Sequence, residues 1–407
     1  MLYDICAVSM PKVFRILNRT NIGGPILNAI YLTRDMPSDI ESYLVAGPPL
    51  DHEQNSKELF DKQQVDVHYI QSMRKSLNPF KDFVTYWELR KSIRAFKPDI
   101  VHTHGSKAGG VGRLAARHEH VPVVVHTFHG HVFHSYYNKL FSKIIIEMER
   151  YLAKISTHIV AISVKQKEEL SNVYKICAEQ KITVVPNGID LSPFFENRNT
   201  KRLKWRTKIN AAENDLVICI VGRIVSIKNH SLFIRMAAEV LNQHDKHQTL
   251  KFVIVGDGNL REEIIQLSIQ LGLSVSYLPE SSNTQVDVLL TSWETEIDEV
   301  FAGSDIVCLT SLNEGTPISL IEAQAAAKPV VSTRVGGVED TVCSESAFLC
   351  ESDNVQAFSS HVLALVRNEQ LRKKMGEAGE RFVMEHYSHK RLVSDMYKLY
   401  HQLLHPN

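Results

Sequence analysis

Short runs rich in Val and Ile alternate with helical patterns along most of the chain. In the first half these runs are KVFRIL, SYLVAG, VDVHYI, DIVHTH, VPVVVHT, HIVAIS and KITVVP, and in the second half LVICIVG, KFVIVG, DIVCLT and KPVVST. Continuous apolar runs separated by helical segments are typical of parallel strands that are buried on both faces. The pattern therefore predicts an α/β protein with two doubly wound parallel sheets.

The two series of strands meet in the polar stretch that follows VVPNGID. We predict a first Rossmann-like domain over residues 1–190, a second over 191–385, and a final helix within 386–407 that can cross back to the first domain. A length of 407 residues also favours two domains. Because ligands bind beyond the carboxyl ends of parallel strands, we expect the two sheets to face each other across a ligand-binding cleft.

Charge and cysteine content argue against several classes of protein. Lys and Arg together number 46, as do Asp and Glu, so no overall field favours nucleic acid. The six cysteines form none of the C-x-x-C pairs that metal and redox sites use. No signal-peptide pattern and no apolar run of about 18 residues is present, so we expect a cytoplasmic protein.

The stretch SLNEGTPISLIEAQAAAKP places Glu322 in an otherwise apolar helix. Thr316 and Pro317 predict an N-cap and a first helical residue, so the helix should extend over residues 317–327 before Pro329. A carboxylate in such a helix costs roughly 2 to 5 kcal/mol unless hydrogen-bond donors surround it. We expect either a ligand or an arginine of the fold to supply them. Glu314, just before the helix, either binds hydroxyl groups or complements the helix dipole.

Two glycine-containing loops follow strands and precede helices. Gly23 and Gly24 open the first helix, where free amides suit a phosphate, although Gly-Gly also forms simple turns. Arg223 and Lys228 lie in the loop after LVICIVG, where two cations could neutralise a diphosphate or be ordinary surface charges.

Histidines cluster in the segment VVVHTFHGHVFH, namely His126, His129, His131 and His134. Their spacing does not place them on one face and no carboxylate lies nearby, so we predict no metal site. A single histidine, His129 beside Gly130, is expected to act as a hydrogen-bonding or proton-relay group.

These motifs, taken in order, resemble the retaining glycosyltransferases of the GT-B fold. The Gly-Gly pair, the His-Gly, GR with a lysine five residues later, and EGTPISLIE all fit that family, and Glu314 and Glu322 match its E-x7-E marker. The segments HTHGSKAGGVGRLAAR, HTFHGHVF and TSLNEGTPISLIEAQAAAKPVVSTRVGG resemble group 1 enzymes of bacterial surface-polysaccharide assembly.

The resemblance implies a metal-independent enzyme without a cofactor. It would move a hexose or N-acetylhexosamine from a nucleotide sugar, first a UDP-sugar and second GDP-mannose, to a glycan or lipid-linked acceptor. The implied roles are diphosphate contact for Gly23 and Gly24, diphosphate neutralisation for Arg223 and Lys228, sugar contact for Glu314 and His129, ribose contact for Glu322, and backbone amides from Gly315 and Thr316.

Other functions are compatible with these motifs, and the sequence departs from the family pattern at two places. A sugar-nucleotide epimerase or a phosphorylase on the same plan, and a non-catalytic sugar-nucleotide-binding protein, remain open. The segment SVSYLPESSNTQVDVLLTSW is longer than the family pattern, which leaves the base undetermined. Ala327 stands where the family has a glycine, a change that we expect to be harmless because Pro329 already ends the helix.

Basic and aromatic residues alternate in SMRKSLNPFKDFVTYWELRKSIRAFK. Such a segment either contacts an anionic membrane surface or is a helix that packs its aromatic side chains into the core. The first interpretation would place the enzyme peripherally at the inner face of the membrane.

Overall fold

The structure is a computed structural model that describes residues 10–18, 20, 24–48, 57–73, 79–129, 139–244, 248–278 and 285–406. The chain divides into two compact units, Met1–Ile189 with His389–Asn407, and Asp190–Ser388. Each unit contains a seven-stranded sheet, and every pairing between its strands is parallel among the described residues. The predicted α/β fold with two doubly wound sheets is confirmed.

The sheet of the first unit consists of β1 (Lys12–Leu17), β2 (Glu41–Ala46), β3 (Val67–Tyr69), β4 (Ile100–His104), β5 (Val123–Phe128), β6 (His158–Ala161) and β7 (Ile182–Val184). The strand order is β3-β2-β1-β4-β5-β6-β7. Its helices are α1 (Gly24–Arg34), α2 (Lys57–Lys62), α3 (Pro79–Phe96), α4 (Ser106–His118), α5 (Lys139–Ile155) and α6 (Val164–Glu168).

Both faces of this sheet are covered, which is why its central strands are continuously apolar. Val13 and Leu17 of β1 pack with Ile26 of α1 on one face. Phe14 of β1 packs with Leu89 of α3 on the other face.

The sheet of the second unit consists of β8 (Leu216–Val221), β9 (Leu250–Val255), β10 (Val275–Tyr277), β11 (Val288–Leu290), β12 (Ile306–Leu309), β13 (Val330–Thr333) and β14 (Ala347–Cys350), in the order β10-β11-β9-β8-β12-β13-β14. Its helices are α7 (Ser192–Phe195), α8 (Arg198–Lys208), α9 (His230–Gln243), α10 (Arg261–Gln270), α11 (Ile297–Gly303), α12 (Ile318–Ala325), α13 (Val338–Thr341), α14 (Val355–Arg367) and α15 (Glu369–Tyr387). The sequence pattern missed the short strands β10, β11 and β14, although it identified β3 and β7, which also have three residues.

The last helix, α16 (His389–Leu404), belongs to the first unit. Its buried residues Leu392, Met396 and Tyr400 join the apolar cluster that contains Val13 and Ile26. In the described part of the chain, no helix is both long and apolar enough to span a membrane.

Candidate active site

Two loops at the carboxyl ends of β8 and β12 bring Lys228 and Glu314 together. Lys228 Nζ lies 2.5 Å from Glu314 Oε1, and Ser311 Oγ donates a hydrogen bond to the same oxygen over 2.6 Å. The loop backbones are also joined, because Thr310 Oγ1 donates to the Lys228 carbonyl over 2.9 Å. Residues 86 positions apart in the chain therefore form one ion pair at the edge of the sheet.

The Glu314 loop is held by a close approach of the segment after β13. Gly336 has a φ of +52°, and a Cβ added there would lie 1.9 Å from the Glu314 carbonyl oxygen. The Gly337 amide donates to that oxygen over 3.0 Å. Only glycine fits Gly336, since both its φ and the contact exclude a side chain.

Arg223 lies on the Lys228 loop, and its side chain is exposed. The backbone around it is packed tightly, because a Cβ added to Gly256 would lie 2.2 Å from the Gly222 carbonyl oxygen. Among the described residues no ion pair to Arg223 is found. The structure thus brings Lys228 to Glu314 but leaves the Arg223 guanidinium open to solvent.

Glu322 lies in the middle of α12, which begins at Ile318 and ends at Ala325. The predicted N-cap is wrong: the capping position is Pro317, its ψ is 96°, and Thr316 makes no capping hydrogen bond. With a ψ of 96°, Pro317 lies outside the helical region, so the helix begins at Ile318 and Thr316 lies two residues before it. Gly315 is exposed and Thr316 is half-buried just before the helix.

The Glu322 carboxyl is poorly solvated. Burial, together with the negative charge of Asp298, raises its pKa to about 8. In the described part of the chain no side chain donates a hydrogen bond to it, so the expected arginine partner is not found there. The group is therefore a candidate for a ligand contact.

Ala327 was expected to be harmless because Pro329 ends the helix, but the helix already ends at Ala325. It has a φ of +57°, in the left-handed region that favours glycine. The helix ends two residues before Ala327, and this backbone conformation, rather than Pro329, makes the turn into β13. An alanine there carries a strain of about 1 kcal/mol.

In the first unit, Gly24 opens α1, while Gly23 lies outside the described residues. A Cβ added to Gly24 would lie 3.9 Å from Asn187 Nδ2. Asn28, one turn further along α1, donates from Nδ2 to Asn187 Oδ1 over 3.4 Å. Asn187 is only 6% exposed, so this polar contact lies inside the unit.

His129 follows β5 directly and is half-buried. Its Nε2 lies 2.9 Å from His104 Nδ1, and the two rings stack with centroids 5.2 Å apart. Burial lowers the His129 pKa to about 4, and the nearby Asn187 side chain partly opposes this shift. His129 is therefore a neutral imidazole at physiological pH. His129 Nδ1 is buried and has no hydrogen-bond partner among the described residues.

The other histidines of the segment do not gather around His129. His126 lies on the opposite face, where its Nδ1 is 2.8 Å from Thr103 Oγ1, and His131 and His134 lie outside the described residues. Within the described ranges, no three His, Cys, Asp or Glu side chains are placed to hold a metal ion.

Sequence reasoning missed a buried polar group beneath His129. Arg15, His102, His104 and Tyr400 are all 0% exposed. An arginine inside the apolar run KVFRIL and two histidines in the strand DIVHTH were the available signals. A buried charge in a central strand is rare enough to indicate a specific role.

The segment before Trp293 contains β10 and β11. β10 is an edge strand paired with β11, and residues 279–284 of the connection lie outside the described residues. Tyr277 of β10 donates to Asp257 Oδ2 over 2.9 Å, and Trp293 itself is 62% exposed.

Family comparisons agree with both units. Residues 201–382 match the family Glycosyl transferases group 1, and residues 30–193 match Glycosyltransferase Family 4. Among solved structures, a glycosyltransferase from Rickettsia africae superposes with a TM-score of 0.78 and 19% identity, covering 98% of this chain and all of that chain. HepE of Anabaena in complex with UDP superposes with a TM-score of 0.76 and 17% identity, covering 96% and 100% of the two chains. These likenesses establish the GT-B fold.

A curated relative is similar in sequence as well. It is the Escherichia coli UDP-Gal:alpha-D-GlcNAc-diphosphoundecaprenol alpha-1,3-galactosyltransferase, 32% identical over 310 residues that cover 74% of each chain. This degree of identity over most of both proteins, together with the two family matches, leads to one conclusion: the chain belongs to the group 1 glycosyltransferases of the GT-B fold.

Proposed function

We propose that the protein is a retaining, metal-independent enzyme that transfers a hexose or N-acetylhexosamine from a UDP-sugar to a glycan or lipid-linked acceptor in surface-polysaccharide synthesis. The observation that carries the proposal is the Lys228–Glu314 pair, 2.5 Å apart at the carboxyl ends of β8 and β12. The name of the Escherichia coli relative, with its UDP-Gal donor and diphosphoundecaprenol acceptor, supports the donor and acceptor classes.

The positive charge at the site suits a nucleotide diphosphate. Glu314 holds Lys228 at the strand ends, and Arg223 is exposed on the same loop. A bound diphosphate would replace Glu314 as the anion of Lys228, since two cations stabilise the charge that grows on the leaving group. The freed Glu314 carboxylate would accept hydrogen bonds from hydroxyls of the donor sugar.

The other predicted residues complete the donor contacts in this proposal. Glu322, which needs hydrogen-bond donors, would take them from the ribose diol. The exposed backbone near Gly315 and Thr316 would supply amides, Gly23 and Gly24 would approach the diphosphate from α1, and His129 would contact the donor sugar. No metal or cofactor has a role, because the cations and amides supply the positive charge.

Retention of anomeric configuration follows if the acceptor attacks on the face that the diphosphate leaves. The leaving diphosphate would then take the acceptor proton, so no enzyme carboxylate is needed as a nucleophile. An α-linked product from an α-linked UDP-sugar is the expected outcome, and it can be read from the anomeric coupling constant in the NMR spectrum of the product.

The donor is tested by calorimetric titration with UDP and with GDP, followed by incubation of the enzyme with candidate UDP-sugars. We expect UDP to bind and glycosyl transfer to require an acceptor. Binding of GDP alone would contradict the UDP proposal. Epimerisation of the UDP-sugar without an acceptor would favour the alternative epimerase.

We also propose that α3 contacts an anionic membrane, where a lipid-linked acceptor would lie. The alternative, that its aromatic side chains pack into the core, does not fit Phe80, Phe83 and Trp87, which are 85%, 62% and 48% exposed. Lys91 and Lys97 are exposed on the same helix and its end, while Arg74 and Lys75 lie outside the described residues. Exposed aromatic rings beside cations suit a headgroup layer.

Some basic residues of α3 have structural partners, which changes the best test. Arg90 and Arg94 both pair with Glu119, and Lys107 of α4 pairs with Asp82. Substituting them would alter the packing of the helix as well as its charge. The aromatic side chains take no part in these ion pairs, although the Arg90 guanidinium lies 4.6 Å from the Trp87 ring centroid.

The measurement is co-sedimentation with vesicles of anionic lipid at low and high salt. Wild type should bind, and the variant with Phe83→Ser and Trp87→Ser should remain in the supernatant. The matched control carries Ile269→Ser, another exposed apolar residue, in the second unit. Equal binding of all three proteins would refute a membrane role for α3.

A further inference from the structure

Thr310 and Ser311, the two residues that follow β12, each hold one member of the Lys228–Glu314 pair. Both are 0% exposed. Thr310 Oγ1 donates to the Lys228 carbonyl over 2.9 Å, and Ser311 Oγ donates to Glu314 Oε1 over 2.6 Å. One strand end therefore fixes the backbone of the lysine and the carboxylate of the glutamate.

The backbones on both sides of the ion pair are anchored as well. The Leu312 amide donates to the Ile227 carbonyl over 2.8 Å, and the Gly337 amide donates to the Glu314 carbonyl over 3.0 Å. The ammonium of Lys228, in contrast, is carried on a flexible stem of four carbons. Of the two charged groups, the ammonium is therefore the one that can move more easily.

The Ser311 hydroxyl is a strong donor in a fixed position. Hydrogen bonds from a hydroxyl to a carboxylate are about 2.5 to 2.7 Å long and roughly twice as strong as those between neutral groups. The 2.6 Å bond from Ser311 to Glu314 lies in this range. Thr333 Oγ1 donates to the Ser311 carbonyl over 2.6 Å, which fixes the backbone that carries the hydroxyl.

Both donors to the Glu314 carboxylate use the same oxygen. Lys228 Nζ lies 2.5 Å from Oε1, the atom that also accepts from Ser311. Among the described residues no donor to Oε2 is found. A carboxylate can accept about four hydrogen bonds, so Oε2 is the oxygen that would accept from a hydroxyl of the donor sugar.

A bound diphosphate would change the two donors in opposite ways. In the function proposed above, the diphosphate replaces Glu314 as the anion of Lys228, so the ammonium leaves Oε1 while Ser311 stays. The Glu314 side chain is only 11% exposed, which limits how far water can replace the ammonium. The Ser311 bond then strengthens, because the carboxylate charge is no longer neutralised by a cation.

We propose that Ser311 is a positioning residue that stabilises the Glu314 carboxylate when Lys228 moves to the donor diphosphate. It lowers the free-energy cost of this exchange and holds Glu314 in place for the donor sugar. The proposal rests on the function proposed above, because the exchange requires a bound diphosphate. Ser311 acts through Glu314 and not on the diphosphate itself.

The test is calorimetric titration with UDP of wild type, Ser311→Ala, Lys228→Ala and the double variant. Ser311→Ala should weaken UDP binding about tenfold, as expected for a lost hydrogen bond to a charged group. In Lys228→Ala no ammonium leaves Glu314, so Ser311 contributes equally with and without UDP. Adding Ser311→Ala to that variant should therefore leave the UDP affinity unchanged.

A matched control is Ser268→Ala in α10. Ser268 is also 0% exposed, and its hydroxyl donates to the Ile264 carbonyl over 2.8 Å. The substitution removes the same kind of buried hydroxyl from the same unit, at a helix that carries none of the proposed site residues. Ser268→Ala should bind UDP with wild-type affinity.

Glu314→Gln tests the exchange itself. The amide carries no negative charge, so Lys228 has no carboxylate to leave, and UDP should bind several-fold more tightly than to wild type. Unchanged or weaker UDP binding by Glu314→Gln, or no UDP binding by wild type, would overturn the exchange proposed above and the role of Ser311 with it.

Two other results would overturn the role of Ser311 alone. One is wild-type UDP affinity in Ser311→Ala. The other is an equal loss of affinity from Ser311→Ala in the presence and absence of Lys228, which would indicate a disturbed loop. Either result, together with tighter UDP binding by Glu314→Gln, would leave the proposed exchange between Glu314 and the diphosphate standing.

Discussion

Glu322 should make binding of the nucleotide sugar depend on pH. Burial, and then the charge of Asp298, raise the pKa of this carboxyl to about 8, so it is mostly protonated at pH 7. A carboxylate accepts from both hydroxyls of a ribose diol, whereas the protonated acid has less acceptor capacity. If Glu322 binds the ribose as proposed, binding must release a proton.

The size of the pH effect on binding depends on the difference between the working pH and the Glu322 pKa of about 8. At pH 7 about one carboxyl in ten is ionised, and ionising the rest costs about 1.4 kcal/mol. The dissociation constant should fall about tenfold between pH 6 and pH 7 and become flat above about pH 9. Close to one proton per bound ligand should be released at pH 7.

Calorimetric titration in two buffers of different ionisation enthalpy measures the released protons. The ligand should be a UDP-sugar, because its diphosphate diester does not titrate near neutral pH. Glu322→Gln should bind with an affinity that does not change between pH 6 and pH 8. Glu377→Gln, an exposed glutamate on α15, is the matched control and should behave as wild type. Equal heats in both buffers for wild type would refute the reasoning.

The same group predicts a pH-dependent stability. Between the unfolded pKa of about 4.5 and the folded value of about 8, the folded protein binds more protons at Glu322 than the unfolded chain does. The free energy of unfolding therefore falls as pH rises through this window. Glu322→Gln should lose that contribution, so its melting temperature relative to wild type should rise between pH 5 and pH 8. A constant difference would contradict the raised pKa.

Three further predictions concern the loop that carries Arg223 and Lys228, the independence from metal ions, and the turn after α12. Lys228→Ala and Arg223→Ala should each lower kcat about 10²-fold, because charge on the leaving diphosphate grows in the transition state. A rise in KM with unchanged kcat in steady-state kinetics would contradict this role. Activity should survive EDTA, since these cations supply the positive charge, and loss of activity that Mg²⁺ restores would refute metal independence. Ala327→Gly should raise the free energy of unfolding by about 1 kcal/mol, because it removes the Cβ from a residue whose φ is +57°. An unchanged or lower urea midpoint would show that the strain is absent.

The sequence by itself was sufficient for the fold class and most strands. Buried parallel strands such as β12, within the segment DIVCLT, require apolar side chains on both faces, so a short stretch of sequence is enough to predict them. The pattern missed the edge strand β10 but identified the edge strand β3, which also has three residues, so length alone does not decide whether a short strand can be predicted. The N-cap of α12 was also misjudged, because proline fixes φ but leaves ψ free, and the ψ of Pro317 is 96° rather than helical.

The candidate site was only partly readable from sequence. Glycines and charged residues after strands mark where a ligand can bind, and this signal led to Lys228 and Glu314 individually. Their 2.5 Å contact depends on the order of β8 and β12 in the sheet, which is a tertiary property.

Only the tertiary structure decided which charged and titratable groups are buried together. The left-handed backbone of Ala327 cannot be predicted from an alanine in the sequence. The raised pKa of Glu322 results from its burial in a packed helix. Arg15 and His104 are far apart in sequence, and only strand register and the covering helix α16 place them in one core. Local patterns encode which surfaces are buried, whereas the fold determines which charged groups are buried next to each other, because electrostatic interactions depend on distances between elements.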